Sequence, residues 1–415
     1  MQLYNEWQSK TLSIMPRITG SFSLWASGYI VQHVLRSPAK CRKPYHRILV
    51  GMSFNVIIGS LFAHVLSTSP MPAGTTFGAA GTEGLCTMAG FLSQGGNLAA
   101  PLYSATLATF YLLMIVYGWS NHRISQDAEM WFHLVPNVTG WGTAIAGLCM
   151  RLYAPADWTC WIAPYPTGCI TAWQAVATGI EATCDRGDDA FIFRLVFKYV
   201  FVWFAIAYVS VLMWIIYKKV LNTEGINKKY DFLRLSTHSQ SSQMSHVRKL
   251  ERKKQQEQKR SKQISNQAIM YVGALVLTFS FSTAVTILQQ SQQNVSFSVM
   301  LCMTIFNPLQ GLFNLCIYLR PRYISFRRSA ENRDLSFIKA FSLFVRNTFF
   351  SFEAYKKANM GRQIPLDQRR PRDSLFSQFT DEIMAQRELE AQSRKSSLSS
   401  ACLNAISPRS NLFKM

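Results

Sequence analysis

Charge is scarce in this chain, and acidic residues are scarcer than basic ones. Only 16% of the 415 residues are charged, with 22 Asp and Glu against 43 Lys and Arg, which gives a net charge of +21. Soluble domains carry about 25% charged residues. A nucleic-acid-binding domain would spread its Lys and Arg through folded segments, but here they gather between apolar blocks. This segregation indicates a membrane protein with cationic loops and no nucleic-acid partner.

The apolar blocks also lack the groups that several membrane chemistries require. They contain no Asp or Glu, which counts against ion-coupled transporters and pumps. The last block, 295–319, has no Lys that could form a retinal Schiff base. The seven histidines form neither an HExxH motif nor a close pair of metal ligands. We therefore expect no enzyme activity, no metal site and no cofactor.

Seven apolar segments are long enough to cross a bilayer, which takes about 20 residues each. They are residues 12–35, 46–68, 85–118, 131–153, 191–217, 267–290 and 295–319. Polar residues interrupt the third, and only a few residues separate the last two, so six spans is the alternative count. The sequence predicts an all-α integral membrane protein, with a seven-transmembrane helix bundle over residues 1–325.

Lys and Arg in the short connectors predict the orientation of the bundle. The connectors 36–47 and 218–264 are basic, whereas 69–84 and 291–294 contain no Lys or Arg. We expect a multi-pass protein of the plasma membrane with its N-terminus outside and its C-terminus inside. Apolar residues at helical spacing predict a cytoplasmic amphipathic helix at the membrane interface over 326–359. The basic, Ser-rich tail, 360–415, is predicted to be disordered.

The cytoplasmic side offers candidate contacts and modification sites. A basic helix leading to the sixth span is predicted to contact anionic lipid of the inner leaflet and a signalling partner. Its candidate residues are Arg248, Lys249, Arg252, Lys253, Lys254 and Arg260. Ser396 and Ser397, beside basic residues, are candidate phosphorylation sites. On the outer side, Asn294 begins a glycosylation sequon close to the membrane.

Four cysteines fall on the predicted outer side, where disulfides persist. Cys86 begins the third span, and Cys160, Cys169 and Cys184 lie in the connector 154–190. We expect a Cys86–Cys160 bridge and a Cys169–Cys184 bridge. Connectivity cannot be deduced from sequence alone, and free buried thiols are the alternative.

Polar and aromatic residues near the outer ends of the spans form a candidate ligand pocket. These residues are Arg17, Gln94, Asn97, Trp161 and Lys198. The two cations could face a pocket mouth and pair with acidic residues of the connector 154–190, or they could extend to the membrane interface. Trp161 could belong to a lid over the pocket or to an interfacial aromatic belt.

The seventh segment carries a polar stripe in the run FNPLQGLFNLCIYLRPRY. At about 100° per residue, one helix face presents Asn307, Gln310, Gly311, Asn314 and Tyr318. Pro308 removes a backbone donor and favours a kink beside Gly311. The stripe is either a switch that exchanges hydrogen-bond partners or a static set of polar contacts. The basic triplet 320–322 would mark the cytoplasmic end of the span.

This stretch resembles a known family signature. NPLQGLFNLCIY is similar to the seventh-helix motif PLQG-x-x-N-x-x-x-Y of G-protein-coupled receptors in the cyclic-AMP-receptor-like and secretin-like branches. The residues KPYHRILVGMS, MIVYGW and CWIAPYP also resemble receptor-like proteins of unicellular algae. The inner end of the third span, MIVYGWSNHR, lacks the Asp-Arg-Tyr of the rhodopsin-like branch, so no switch residue of that branch is carried over.

The resemblance implies a receptor that rearranges its helices and activates a heterotrimeric G protein. The short segment before the first span favours a small-molecule or short-peptide ligand bound among the helices. The alternatives are a channel or uncoupled small-solute transporter, and a receptor-shaped scaffold that signals through its tail. The lack of an internal repeat weakens the transporter interpretation.

Overall fold

The computed structural model describes residues 5–235, 269–289, 295–328 and 335–350. The chain divides into two compact units, Met1–Ile317 and Tyr318–Met415. The structure is mostly helical, and its thirteen described α-helices are numbered in chain order. They are α1 (Glu6–Leu35), α2 (Pro38–Cys41), α3 (Pro44–Ser60), α4 (Glu83–Ile115), α5 (Asn121–Asp127), α6 (Glu129–Cys149), α7 (Ala172–Thr178), α8 (Ala190–Arg194), α9 (Val200–Leu235), α10 (Ile269–Gln289), α11 (Phe297–Phe306), α12 (Gln310–Arg328) and α13 (Phe337–Val345).

Several of these helices continue through turns of different pitch. A π-helical turn, Leu61–Val65, extends α3, and another, Leu195–Tyr199, joins α8 to α9. A 3-10 turn, Asn307–Leu309, joins α11 to α12, and a π-helical turn, Arg346–Phe350, follows α13. These joined helices therefore form longer rods with local changes of pitch.

Five helical rods are long and apolar enough to cross a bilayer. They are Pro44–Val65, Glu83–Ile115, Ala190–Asn222, Ile269–Gln289 and Phe297–Arg327. The helices α1, with 30 residues, and α6, with 21, cover the other two predicted spans. Among the described residues, five helices have the length and apolar composition that crossing a bilayer requires. The count of seven spans stays a prediction.

Helix α4 lies at the centre of the first unit, where it packs against α3, α6 and α9. Small residues allow the backbones to approach closely, as they do between membrane helices. A Cβ on Gly96 would lie 2.6 Å from the backbone oxygen of Asn55 on α3. On the opposite side, a Cβ on Gly140 of α6 would lie 2.8 Å from the oxygen of Gly95. The glycines of the predicted third span are therefore packing residues.

The connector after α6 contains a β-hairpin that the predicted all-α class does not include. Strands β1 (Tyr153–Ala156) and β2 (Thr159–Ile162) are antiparallel, with Tyr153 opposite Ile162. The Tyr153 hydroxyl donates to the Ala144 carbonyl at 2.9 Å, and the Tyr153 side chain is buried. We call the end of the first unit that carries this hairpin the hairpin end.

Two disulfides hold the connector. Cys86–Cys160 joins the first turn of α4 to β2, and Cys169–Cys184 closes a short loop within the connector. Both sulfur atoms of the first bridge belong to buried residues that pack with Met71 and Ala89. The hairpin is thus attached covalently to the central helix.

The second unit begins inside α12 and contains α13. Helix α12 continues through Pro321 to Arg328, so the basic triplet ends the apolar run without ending the helix. The ring of Tyr323 contacts Phe341 and Phe344 at centroid distances of 6.1 and 5.3 Å. Phe344 is buried, while the apolar residues Phe337, Ile338 and Phe341 are exposed. The location of α13 at a membrane interface stays a prediction. The predicted helix over 326–359 extends past residue 350, and that part lies outside the described residues.

Candidate functional site

Gln94 organises the hairpin end of the bundle. Its Oε1 accepts a hydrogen bond from Trp161 Nε1 at 2.7 Å. Its Nε2 donates to the Phe197 carbonyl at 3.0 Å and to Thr143 Oγ1 at 3.3 Å. Gln94 is 1% exposed. One buried amide therefore connects α4 with β2, with α6 and with the π-helical turn before α9.

The two π-helical turns place ionisable side chains in the same region. Turns of this kind occur frequently at functional sites. His64 lies on the turn Leu61–Val65, and Lys198 lies on the turn Leu195–Tyr199. Both residues are buried; the turn that carries His64 packs against β2, and Lys198 contacts Trp161 of the same strand. A widened turn on each of two helices thus places an ionisable side chain on an element that adjoins β2.

Lys198 is enclosed by aromatic rings. Its Nζ lies 4.4 Å from the Trp161 ring centroid and 5.9 Å from that of Tyr199. The two rings are 6.3 Å apart and nearly perpendicular. Within the described ranges no ion pair includes Lys198. The expected pairing of this residue with an acidic residue of the connector is therefore not formed.

Tyr199 connects the same cluster to α10. Its hydroxyl lies 3.2 Å from Ser282 Oγ and 2.8 Å from Thr286 Oγ1. We define the hairpin-end cluster as His64, Gln94, Trp161, Lys198 and Tyr199. It contacts helices from both halves of the first unit, so a molecule bound there would touch several helices at once.

A cavity of about 920 Å³ lies beside this cluster. Its lining includes Asp157, Asp188, Arg194, Thr286 and Gln289. The guanidinium carbon of Arg194 lies 5.4 Å from the Trp161 ring centroid, and its Nε donates to the Ile162 carbonyl at 2.6 Å. Arg194 and Thr286 therefore belong to the cavity wall and also touch the hairpin-end cluster.

The other two predicted pocket residues, Arg17 and Asn97, have contacts outside this cluster. Arg17 donates from Nη2 to Thr68 Oγ1 at 2.8 Å, in the loop after the first π-helical turn. Asn97 packs its side-chain oxygen against Gly59 of α3. Of the five residues proposed from sequence, Gln94, Trp161 and Lys198 come together.

The predicted seventh span changes its helix type where the sequence places Asn307 and Pro308. The helix changes to the 3-10 turn Asn307–Leu309, which we call the hinge. Pro308 lacks a backbone N–H, so a regular α-helix cannot be completed at this position. The hinge thus has a local chemical cause.

Gly311 is the point of closest approach between α12 and α1. Its backbone N–H donates to Ser23 Oγ at 2.9 Å. A Cβ on Gly311 would lie 2.5 Å from the Ser23 oxygens and from Ser27 Oγ. Ser60 of α3 donates to Ser23 Oγ at 3.2 Å, so three helices meet here.

Gln310 and Asn314 are buried polar residues after the hinge. They are 8% and 4% exposed, respectively. Their side-chain nitrogens have no hydrogen-bond partner within the part of the chain that the structure describes. Tyr318, the last residue of the predicted stripe, belongs to the second unit. The stripe therefore holds unused donors next to the break in the helix.

A polar network between α3, α4 and α6 was not predicted from sequence. Asn137 Nδ2 donates to Tyr103 OH at 2.7 Å, and that hydroxyl lies 3.1 Å from His133 Nδ1. Asn55 Nδ2 donates to Asn137 Oδ1 at 3.2 Å. The only available signal was polar residues within apolar segments, which does not specify partners from different helices.

A buried ion pair lies one helical turn from this network. Arg47 of α3 pairs with Glu129, the first residue of α6, and both side chains are 8% exposed. Ser125 Oγ accepts from Arg47 at 2.8 Å and donates to Glu129 at 2.6 Å. Glu129 precedes the predicted span 131–153 by two residues, which is why the search for acidic residues within spans missed it.

Several predicted sites lie outside the described residues. These are the contact residues Arg248, Lys249, Arg252, Lys253, Lys254 and Arg260, the serines Ser396 and Ser397, and the sequon residue Asn294. Their proposed roles stay predictions.

Comparison with known proteins identifies a similar fold. No family model and no curated protein matches the chain. The crystal structure of squid rhodopsin matches with a TM-score of 0.54 and 12% sequence identity, over 88% of this chain and 94% of that chain. At this identity the similarity concerns the fold alone. The chain has a fold like that of squid rhodopsin.

Proposed function

We propose that this protein is a plasma-membrane receptor that activates a heterotrimeric G protein. The observation that carries the proposal is the hinge in the last long helix, flanked by the buried donors of Gln310 and Asn314. The receptor-like fold supports it. The N-terminus would lie outside and the C-terminus inside, and the matching motif would assign the cyclic-AMP-receptor-like or secretin-like branch.

The hinge would allow α12 to take two positions relative to α1. Hydrogen bonds between membrane helices contribute roughly 0.6–2 kcal/mol each, which holds one packing without excluding another. Gln310 and Asn314 have spare donors, so they can exchange partners when α12 moves. Ser23 would hold Gly311 in the resting position.

A ligand at the hairpin-end cluster would be linked to the opposite end through α9 and α10. Tyr199 bonds to Ser282 and Thr286, so movement of one helix affects the other. The two helices flank the basic segment 236–268, which would contact the G protein and anionic lipid. Binding of a small molecule or short peptide would therefore change the surface offered to the partner.

The direct test is guanine-nucleotide exchange on a panel of purified heterotrimers, with membranes that contain or lack the protein. We expect exchange above that of the empty membranes. Gln310→Leu and Asn314→Leu should abolish exchange or hold it at one level, with normal surface expression. Gln32→Leu, on an exposed face of α1, is the matched control and should behave as wild type.

Unchanged exchange in both helix variants would reject their role as a switch. A channel or uncoupled transporter is the second candidate, because buried polar residues of the third and seventh predicted spans, such as Gln94, Gln310 and Asn314, could line a path through the bundle. If no heterotrimer responds and liposomes with the protein conduct a small solute, the transport function replaces the receptor function.

A further inference from the structure

We propose that the hairpin-end cluster recognises an organic carboxylate through Lys198, with His64 as a second polar contact. This inference names the ligand class of the proposed receptor and therefore rests on that function. Its evidence is separate from the hinge, since it comes from the charges and partners of residues around Trp161 and Tyr199.

The first observation is a buried cation without an anion. Lys198 is 7% exposed, and none of the ion pairs between described residues includes it. Its neighbours are the ring faces of Trp161 and Tyr199. The attraction of a cation to an aromatic face is smaller than the cost of removing an ammonium group from water. A bound anion would supply the missing partner.

The second observation is another unsatisfied buried group on a turn that packs against β2. His64 is 5% exposed, its Nδ1 has no hydrogen-bond partner within the described ranges, and its turn contacts the strand that carries Trp161. Arg194, whose guanidinium lies over the same Trp161 ring as Lys198, adds further positive charge. The two cations thus share one aromatic ring, while the carboxylates Asp157 and Asp188 lie in the wall of the neighbouring cavity and form no ion pair with Lys198.

The surroundings favour an organic anion over a free inorganic one. Trp161 is held in place by Gln94, and Tyr199 is held by its bonds to α10, so two rigid aromatic surfaces stand beside the ammonium group. Such surfaces bind the apolar body of a ligand while a few polar groups orient it. Arg194 also lines the neighbouring cavity of about 920 Å³, which gives space for that body.

Benzoate is the test probe, with benzamide as its neutral isostere and chloride as the inorganic anion. Purified full-length protein in detergent is heated with each compound, and affinity is measured from the rise in Tm. We expect benzoate to raise Tm and the other two to leave it unchanged. Equal shifts with benzamide, a shift reproduced by chloride, or no shift with benzoate would overturn the proposal.

Lys198→Met separates a binding role from a structural one. We expect it to weaken benzoate binding by about tenfold or more, since a charge-assisted hydrogen bond is lost. Without benzoate its Tm should equal or exceed that of wild type, because an unpaired buried charge is removed. A lower Tm without benzoate, or unchanged benzoate affinity, would show that Lys198 is structural.

Lys218→Met is the matched control. Lys218 lies over the Trp214 ring at 3.9 Å on the same helix, but it is exposed and distant in sequence from the cluster. Its benzoate affinity should be that of wild type. These binding measurements need no G protein, so a failure of carboxylate binding and a failure of nucleotide exchange are distinguished.

Discussion

Individual residues in this bundle are constrained most strongly where a polar group or a glycine meets a neighbouring helix. Arg47 and Glu129 illustrate the first case, because each satisfies a charge that water cannot reach. Gly311 illustrates the second, because its lack of a side chain lets α12 contact Ser23 directly. Both positions give stability predictions with matched controls.

Replacing Glu129 with Gln should lower the free energy of unfolding by about 3–5 kcal/mol, since it leaves the Arg47 charge buried without a partner. Thermal unfolding in detergent measures the loss. Asp127→Asn is the control, because the Arg123–Asp127 side chains are 59% and 54% exposed. Such a pair contributes about 0–1 kcal/mol. Equal effects of the two variants would contradict the buried role of Glu129.

Gly311→Ala should lower the free energy of unfolding by about 1–3 kcal/mol, because the new methyl group forces α1 and α12 apart. The added Cβ would lie 2.5 Å from oxygens of Ser23 and Ser27. Gly142→Ala on α6 is the control, since its Cβ would meet nothing within 4 Å. If both variants unfold at the same temperature, the close contact at Gly311 does not limit packing.

At the scale of helices and strands, the hairpin is covalently attached to the central helix, whereas the hinge interrupts regular α-helix. The β-hairpin is attached to α4 by a disulfide and by the Trp161–Gln94 hydrogen bond. The hinge has a proline-bearing 3-10 turn in place of regular helix. The hairpin lies in the connector after α6 and the hinge lies between α11 and α12, so each can be altered without the other.

Breaking the Cys86–Cys160 bridge with Cys160→Ser should cost about 2–5 kcal/mol of unfolding free energy. Cys169→Ser breaks the other bridge, which spans 15 residues of sequence against 74 for the first. Because stabilisation grows with the closed loop in the chain-entropy model, Cys169→Ser should cost less. Thermal unfolding of both variants measures the two losses of unfolding free energy. A larger loss in Cys169→Ser than in Cys160→Ser would contradict this order.

Pro308→Ala restores the missing N–H and should let α11 continue into α12 as regular helix. We expect a higher Tm and lower nucleotide exchange, because the straighter helix favours one position. Pro321→Ala lies in the same rod after the hinge and serves as the control for proline removal. A Pro308→Ala protein that exchanges nucleotide as wild type would remove the hinge from the mechanism.

At the scale of the whole molecule, the arrangement around α4 explains the similarity to squid rhodopsin despite 12% identity. Helices α3, α6 and α9 pack against α4 through small and apolar residues, and many sequences can meet that requirement. The fold can therefore be similar in proteins of different sequence, while ligand and partner depend on particular side chains.

The proposed orientation is testable in intact cells. An epitope tag before residue 1 should be accessible to antibody without permeabilisation, and a tag after residue 415 should require it. The reason is the excess of Lys and Arg in the connectors 36–47 and 218–264. The reverse pattern would invert every assignment of an inner or outer side made from these loops.

The sequence by itself determined the membrane class, the approximate helices and the break at Pro308. These features depend on local composition: apolar length, the periodicity of polar residues and the backbone of proline. It also drew attention to Gln94, Trp161 and Lys198, although it grouped them with Arg17 and Asn97.

Only the tertiary structure decided which side chains meet. Whether Lys198 finds a carboxylate or an aromatic ring depends on how β2 packs on α9, and whether Asn137 bonds to Tyr103 depends on the rotation of α6 against α4. Such contacts join residues far apart in the chain, and a hydrophobic pattern specifies the buried face of a helix without naming its neighbour.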